Sequence, residues 1–134
     1  DSLKANNDIN AQTWNGGGSG EQLSWLRGVL DKAAQRQEKV VVFSHMPVAP
    51  ENNHNGWNDE AVVKELEAHG NVVAYFNGHN HVGNYELKNG IHYVNLEGMV
   101  ETADTTSYSI VRVFKDHLEI DGFGRESDRV LKIQ

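Results

Sequence analysis

The sequence contains no cysteine and only two prolines in 134 residues. The absence of cysteine excludes disulfides and thiolate metal ligands, so a metal site would have to use nitrogen and oxygen donors. Basic residues are also scarce, with 12 Lys and Arg against 19 Asp and Glu and a formal charge of −7. This balance argues against nucleic acid and anionic membranes as partners.

Long apolar runs are absent as well. No stretch approaches the length of a membrane span, and no charged-then-apolar leader begins the chain. Hydrophobic residues make up 38% and charged residues 23% of the sequence, as in ordinary globular domains. The composition therefore predicts a soluble protein with a core of its own and no membrane partner, and it does not indicate a compartment.

A polar lead-in and a well-capped helix occupy the first quarter of the chain. Residues 1–18 are polar, include the Gly16–Gly18 triplet, and predict a surface loop without a core. Ser19 and Gln22 have the spacing of a capping box, which indicates a helix start. The predicted apolar face of that helix contains Leu23, Trp25, Leu26, Val29, Leu30 and Ala33 or Ala34.

Two apolar runs flank a second predicted helix. The run at 40–43 is expected to form a buried strand, and the run at 72–76 another. Asn58 is a good cap for the helix between them, and Gly70 suits its end. A strand, helix and strand over about forty residues form a βαβ crossover, which places the carboxyl ends of both strands at one sheet edge.

The remainder of the chain predicts antiparallel pairs. Asn89-Gly90 lies between two strand-like runs and is a strong hairpin signal, and Lys115-Asp116 marks a second hairpin. The predicted fold class is therefore α+β, with a βαβ unit followed by an antiparallel meander.

Three histidines follow the two strands of the crossover. His45 comes after the first strand, and His79 and His81 follow the second in Gly78-His79-Asn80-His81. Imidazoles at one sheet edge suit a borderline divalent metal, so we predict a metal site there. A structural role is the alternative for each ring. His54, in the loop after the first strand, is a candidate substrate contact or else a solvated side chain.

The residues alone leave the type of metal site open. Three imidazoles are also the ligand set of a mononuclear zinc hydrolase. Glu97 and Glu101 follow the first hairpin and are either outer partners of the site or exposed carboxylates. His69, His92 and His117 are interpreted as a helix-end charge partner, a strand-face residue and a turn residue.

Two motifs carry a family resemblance. Ser44-His45-x-Pro47 and Asn77-Gly78-His79-Asn80-His81 resemble the last two metal-binding motifs of the calcineurin-like metallophosphoesterases. Further segments resemble one branch, the manganese-dependent ADP-ribose/CDP-alcohol diphosphatases. These segments are Asn15-Gly16-Gly17, Gln22-Leu23-x-Trp25-Leu26, Trp57-Asn58, the run 93–98, Glu101-Thr102-Ala103 and the stretch from Gly124-Arg125 to Asp128-Arg129.

The resemblance implies half of a four-layer α/β/β/α metallophosphatase sandwich. The family's earlier motifs, Asp-x-His, Gly-Asp-x-x-Asp and Gly-Asn-His-Glu or -Asp, do not occur in this sequence. Residues 19–134 are therefore expected to be the C-terminal half of the domain. The catalytic residues would lie in the N-terminal half, which is a partner segment on a second chain, a cleaved piece or a part outside this sequence.

The same resemblance implies a dinuclear site with two divalent metal ions, Mn, Fe or Zn. His45 and His79 would bind one ion and His81 the other, and a metal-activated hydroxide would attack phosphorus in a small phosphorylated substrate. Arg125 and Arg129 are candidate phosphate contacts, with surface ion pairing as the alternative. A non-catalytic sandwich half that binds a ligand, and a mononuclear three-histidine hydrolase, remain the other functional hypotheses.

Overall fold

Helices and strands alternate in the first half of the chain, and strands alone make up the second half. The computed structural model describes Lys4 and residues 6–134, so residues 1–3 and 5 of the predicted lead-in lie outside the described residues. No helix in this described part is long and apolar enough to cross a membrane. The elements are helix α1 (Gly20–Gln35), strand β1 (Val40–Phe43), helix α2 (Asp59–Glu67), and strands β2 (Val72–Asn77), β3 (Asn84–Lys88), β4 (Ile91–Asn95), β5 (Ser107–Val113), β6 (His117–Gly124) and β7 (Arg129–Lys132).

The strands form two sheets. The first has the order β1-β2-β4-β3, with β1 parallel to β2, β2 parallel to β4, and β3 antiparallel to β4. The second is the antiparallel sheet β5-β6-β7. The β1–α2–β2 crossover is confirmed, and the antiparallel pairs that follow it are divided between the two sheets, because the β3–β4 hairpin joins the first sheet. All five residues of β4 are buried, which suits a central strand, whereas the half-exposed β3 suits an edge.

Two apolar clusters hold these layers together. On one face of the first sheet, Tyr75 and Tyr93 pack with Leu30 of α1 and Leu66 of α2. On the other face, Phe76 and neighbouring residues pack with Leu118, Ile120 and Leu131 of the second sheet. The described chain therefore has a helix layer, a mixed sheet and an antiparallel sheet, and the predicted α+β class is confirmed.

Helix α1 begins as expected but buries a narrower face. Ser19 and Gln22 form the reciprocal capping box. Leu30 and Ala33 are buried, whereas Trp25 is 68% exposed and Val29 is 38% exposed. The expectation that both belong to the buried face is wrong, because within the described residues only the stripe around Leu30 reaches the first sheet.

Strand β1 is less buried than its run of apolar residues predicts. Its first three residues are half-buried, and Phe43 is 72% exposed although its ring stacks on that of Phe76. The reason is topological, since β1 is the edge of the first sheet among the described strands. The pattern of residues correctly indicates a strand but cannot show that one side of it has no neighbour.

Asn58 occupies the cap position of α2 without capping it. Its side chain makes no hydrogen bond to the helix. Instead its Oδ1 accepts from the amide of Gly18, and its Nδ2 donates to the Gly18 carbonyl. Asn58 thus ties the lead-in to the loop between β1 and α2. Gly70 has a φ of +63°, consistent with its predicted position at the end of the helix.

His92 links the two sheets and should contribute stability. Its ring is buried, with Nδ1 3.0 Å from the Tyr85 hydroxyl and Nε2 2.9 Å from the Lys132 carbonyl oxygen of β7. We expect His92→Ala to lower the free energy of unfolding by about 2–4 kcal/mol, because it leaves buried polar groups unpaired and opens a cavity. Tyr85→Phe, which removes one hydroxyl, should have an effect of about 1 kcal/mol. Urea denaturation measures both values, and a change below about 0.5 kcal/mol for His92→Ala would contradict this role.

Candidate metal centre

The carboxyl ends of β1 and β2 bring His45 and His79 together. Phe43 and Phe76 are partners in the parallel register, so both chains leave the sheet at the same edge. Backbone bonds continue beyond the strands, from Ser44 N to Phe76 O at 3.0 Å and from Gly78 N to His45 O at 3.2 Å. The two imidazole centroids are consequently 5.1 Å apart, and the rings are steeply inclined at 69°.

The turn after β2 has its unusual conformation at His79. His79 itself has a φ of +67°, in the left-handed region that few side chains adopt. Two buried amides support this turn. Asn77 Nδ2 donates to the Gly78 carbonyl and to Asn95 Oδ1, and Asn95 Nδ2 donates to the Asn80 carbonyl at 2.7 Å. The surrounding structure therefore holds His79 in a conformation that it would otherwise avoid.

His54 approaches the same pair from the loop between β1 and α2. Its ring centroid is 5.8 Å from that of His79. Burial lowers the pKa of His79, and the neighbouring rings of His45, His54 and His81 lower it further by charge repulsion. His79 is therefore neutral near pH 7, which is the form of imidazole that binds a metal ion.

Asn15 contacts the His79 ring. Its Oδ1 is 3.0 Å from His79 Nε2, and its side chain is buried. The sequence-based set of site residues did not include Asn15, although the polar residue before two glycines was a visible signal. Its partner is 64 positions away in the chain, so the pairing follows only from the tertiary structure.

His81, two residues after His79, has a carboxylate partner. The Glu101 carboxylate contacts its Nδ1, and both side chains are about half exposed. The His81 carbonyl accepts a hydrogen bond from Gly98 N at 2.9 Å. Gly98 is packed so closely that an added Cβ would lie 2.6 Å from His81 Cγ. Glu101 is therefore an outer partner of a candidate ligand, one of the two roles considered for it.

Two clefts flank the histidine pair. One, of about 300 Å³, is lined by Phe43, Phe76, Leu96, His79 and His81 among others. The second, of about 460 Å³, lies between α1 and β1, where the lining includes His45 and Met46. Both clefts have apolar walls beside imidazole nitrogen atoms, as ligand pockets commonly do. A larger cavity, about 750 Å³ and lined by several carboxylates, has none of these histidines in its wall.

The two candidate arginines have different surroundings. The Arg125 guanidinium donates to the Gly98 carbonyl, next to the His81 backbone. Arg129 lies over the ring of Tyr85, with 5.1 Å between its Cζ atom and the ring centroid. Arg125 therefore contacts the backbone next to His81 of the candidate site, whereas Arg129 packs on Tyr85 through a cation–π contact.

The other three histidines have partners away from this sheet edge, and the interpretation of His117 as a turn residue is wrong, because it begins strand β6. His69 Nε2 is 3.2 Å from the Asp31 carboxylate of α1. His117 is the first residue of β6, directly after the β5–β6 turn, and its ring lies 2.7 Å from Asp116, which raises the pKa of its imidazole. His92 faces the second sheet, as described above.

The donor types at the sheet edge fit a borderline divalent metal. Imidazoles that follow two adjacent strands lie beside amide and carboxylate oxygens, a mixed set of nitrogen and oxygen atoms that suits Mn, Fe or Zn. Within Lys4 and residues 6–134, however, no three His, Cys, Asp or Glu side chains converge closely enough to hold an ion. The described residues are thus suitable ligands but do not make up a full coordination shell.

Comparison of structures identifies the class of protein to which this arrangement corresponds. The crystal structure of a dimetal phosphatase from Danio rerio superposes on 98% of this chain with a TM-score of 0.88 and 30% sequence identity. The chain covers 47% of that protein. The part of the chain that is described therefore has the fold of one segment of a dimetal phosphatase, which confirms the sandwich-half interpretation of the fold.

Sequence comparison names the relatives within that class. Manganese-dependent ADP-ribose/CDP-alcohol diphosphatase from Bos taurus is 41% identical, and that from Homo sapiens 42% identical, over alignments of 123 residues. Each alignment covers 88% of this chain and 36% of the relative. No protein-family model matches the chain. The chain is thus related to these diphosphatases and spans about a third of their length, and the resemblance to a hydrolase family inferred from the motifs is confirmed.

Proposed function

We propose that the chain carries part of the metal centre of a dinuclear-metal phosphoesterase that hydrolyses a nucleotide diphosphate of the ADP-ribose or CDP-alcohol type. The observation that supports this most directly is the His45–His79 pair at the ends of two parallel strands, in a chain related to manganese-dependent diphosphatases. Residues 19–134 would form the C-terminal half of the domain. The described part of the lead-in is anchored to the loop beside the site.

The proposed roles divide the three histidines between two ions. His45 and His79 bind one ion, and His81 binds the other. Divalent ions bound there would supply positive charge to a phosphoryl oxygen and lower the pKa of a water molecule. The chain's own residues provide imidazole nitrogens and, at Glu101, a carboxylate that orients His81.

Substrate contacts are proposed for two further side chains. His54 lies beside His79 and can donate a hydrogen bond to a phosphate oxygen. Arg125 lies next to the Gly98–His81 contact and can neutralise phosphate charge. Local cations are needed because the chain has a net charge of −7, which would otherwise repel an anionic substrate.

The 134-residue chain on its own should hydrolyse phosphoesters very poorly. Its described residues do not bring three metal-binding carboxylates or imidazoles to one point. When members of a cooperating catalytic unit are missing, most of the rate enhancement is lost. The test is an Mn²⁺-supplemented assay with ADP-ribose, a CDP-alcohol and a chromogenic phosphodiester. A protein that contains this chain and has the length of the relatives is the positive control. Robust turnover by the 134 residues alone would contradict the two-metal account.

A non-catalytic role is the second candidate, because the described residues lack a three-donor metal group. In that case the fold would be retained as a binding module. The complete protein would then bind ADP-ribose in isothermal titration without hydrolysing it in the presence of Mn²⁺. Turnover that requires Mn²⁺ would exclude this candidate.

A further inference from the structure

The side-chain amide of Asn15 has a fixed orientation. Its Nδ2 donates to the carbonyl oxygens of Asn10 at 2.8 Å and Asn53 at 2.9 Å, and the residue is only 4% exposed. These two bonds use both hydrogens of the amide. A flipped amide would place Oδ1 against two carbonyl oxygens, which are acceptors only. The network therefore requires Oδ1, and not Nδ2, to face His79.

This orientation determines which nitrogen of His79 carries the hydrogen. Oδ1 can only accept, so His79 Nε2, which lies 3.0 Å away, has to be the donor. A neutral imidazole has one N–H group, which leaves a lone pair on Nδ1. Among the described residues, Nε2 is the only atom of this ring with a hydrogen-bond partner.

We propose that Asn15 is a positioning residue that holds His79 in the Nε2–H tautomer and so reserves Nδ1 for a divalent metal ion. This inference rests on the proposed role of His79 as a metal ligand. It assigns to the described part of the lead-in a direct effect on the site. Hydrogen-bond partners of this kind fix the tautomer and the ring orientation of metal-binding histidines.

Hydrogen bonds on both sides of Asn15 fix the position of the segment that contains it. Asn10 Nδ2 donates to the Gly56 carbonyl at 2.9 Å, and Trp57 N donates to the Gly16 carbonyl at 2.8 Å. These bonds attach the lead-in on both sides of Asn15 to the loop that also contains His54. The His79 ring is thus restrained from two directions, by Asn15 at Nε2 and by the supported left-handed backbone.

The tautomer can be measured without bound metal. In the complete protein, labelled with ¹⁵N at histidine and stripped of metal, two-bond ¹H–¹⁵N spectra distinguish Nε2–H from Nδ1–H, and His79→Gln assigns the signal. We expect the Nε2–H form in the wild type. Asn15→Leu should lose this preference and weaken Mn²⁺ binding, measured from free Mn²⁺ by electron paramagnetic resonance, by about 10- to 100-fold.

Asn10→Leu is the matched control, because it removes another buried amide anchor of the same segment that does not contact His79. It should leave the His79 tautomer unchanged and weaken Mn²⁺ binding much less. An Nδ1–H tautomer in a wild-type protein that binds Mn²⁺, or equal losses in both variants, would overturn the positioning role. A wild-type protein with the Nε2–H tautomer that binds no Mn²⁺ at the histidines would instead contradict the proposed metal site.

Discussion

Replacement of His79 by alanine in the complete protein should lower Mn²⁺-dependent hydrolysis of its diphosphate substrate by about 10²–10³-fold. His79 lies at the centre of the histidine cluster, within 5.1 Å of the His45 ring and 5.8 Å of the His54 ring. Removing a ligand weakens the binding of an ion that stabilises negative charge in the transition state. That stabilisation amounts to several kcal/mol, and each 1.4 kcal/mol corresponds to about a tenfold change in rate. Steady-state kinetics at saturating Mn²⁺ measures the loss.

His92→Ala is the matched control for this substitution, because His92 is a more deeply buried histidine on a neighbouring strand. It should lower the melting temperature while leaving most of the turnover of the folded protein intact. Melting curves recorded beside the kinetics separate the two effects. If His79→Ala retained full activity and His92→Ala lost it while folded, the strand-end turn would not be the metal site.

Gly98→Ala should have the second largest effect, although it removes no functional group. The added Cβ would lie 2.6 Å from His81 Cγ and 2.8 Å from His81 Cβ, distances that require the base of the side chain to move. Misplacement of a catalytic group by about 1 Å can reduce the rate about 10²-fold, and we expect a loss of that order in kcat/KM.

Gly28→Ala provides the control, since an added Cβ there meets no atom within 4 Å and the residue lies inside helix α1. That variant should keep its activity and gain about 0.5–1 kcal/mol of stability from the higher helix propensity of alanine. Gly98→Ala with wild-type kinetics would show that the position of His81 does not matter for turnover.

The local features of the fold were predictable because their signals lie within a few residues. Asn89 and Gly90 have φ values of 49° and 81°, as a tight hairpin turn requires, and Asn-Gly is the sequence that favours it. The Ser19–Gln22 capping box and the parallel β1–β2 pair likewise follow from short-range spacing. The same reasoning predicts that His45 and His79 lie at one sheet edge.

Features that depend on distant partners could not be predicted in this way. The insertion of β4 between β2 and β3, and the exposure of Phe43, depend on which strands become neighbours. Strand β7 was missed because its four residues have no long apolar run. Asn15 was missed as a site residue because its role arises from hydrogen bonds to residues that are distant in the chain, His79 and Asn53.

The most direct test of the metal centre is anomalous diffraction at the manganese edge from crystals of the complete protein grown with Mn²⁺. The account predicts two anomalous peaks about 3.5–4 Å apart, one in contact with ring nitrogens of His45 and His79 and the other in contact with His81. Manganese peaks that contact none of these three imidazoles, in a protein that hydrolyses its substrate in the crystal, would contradict the account.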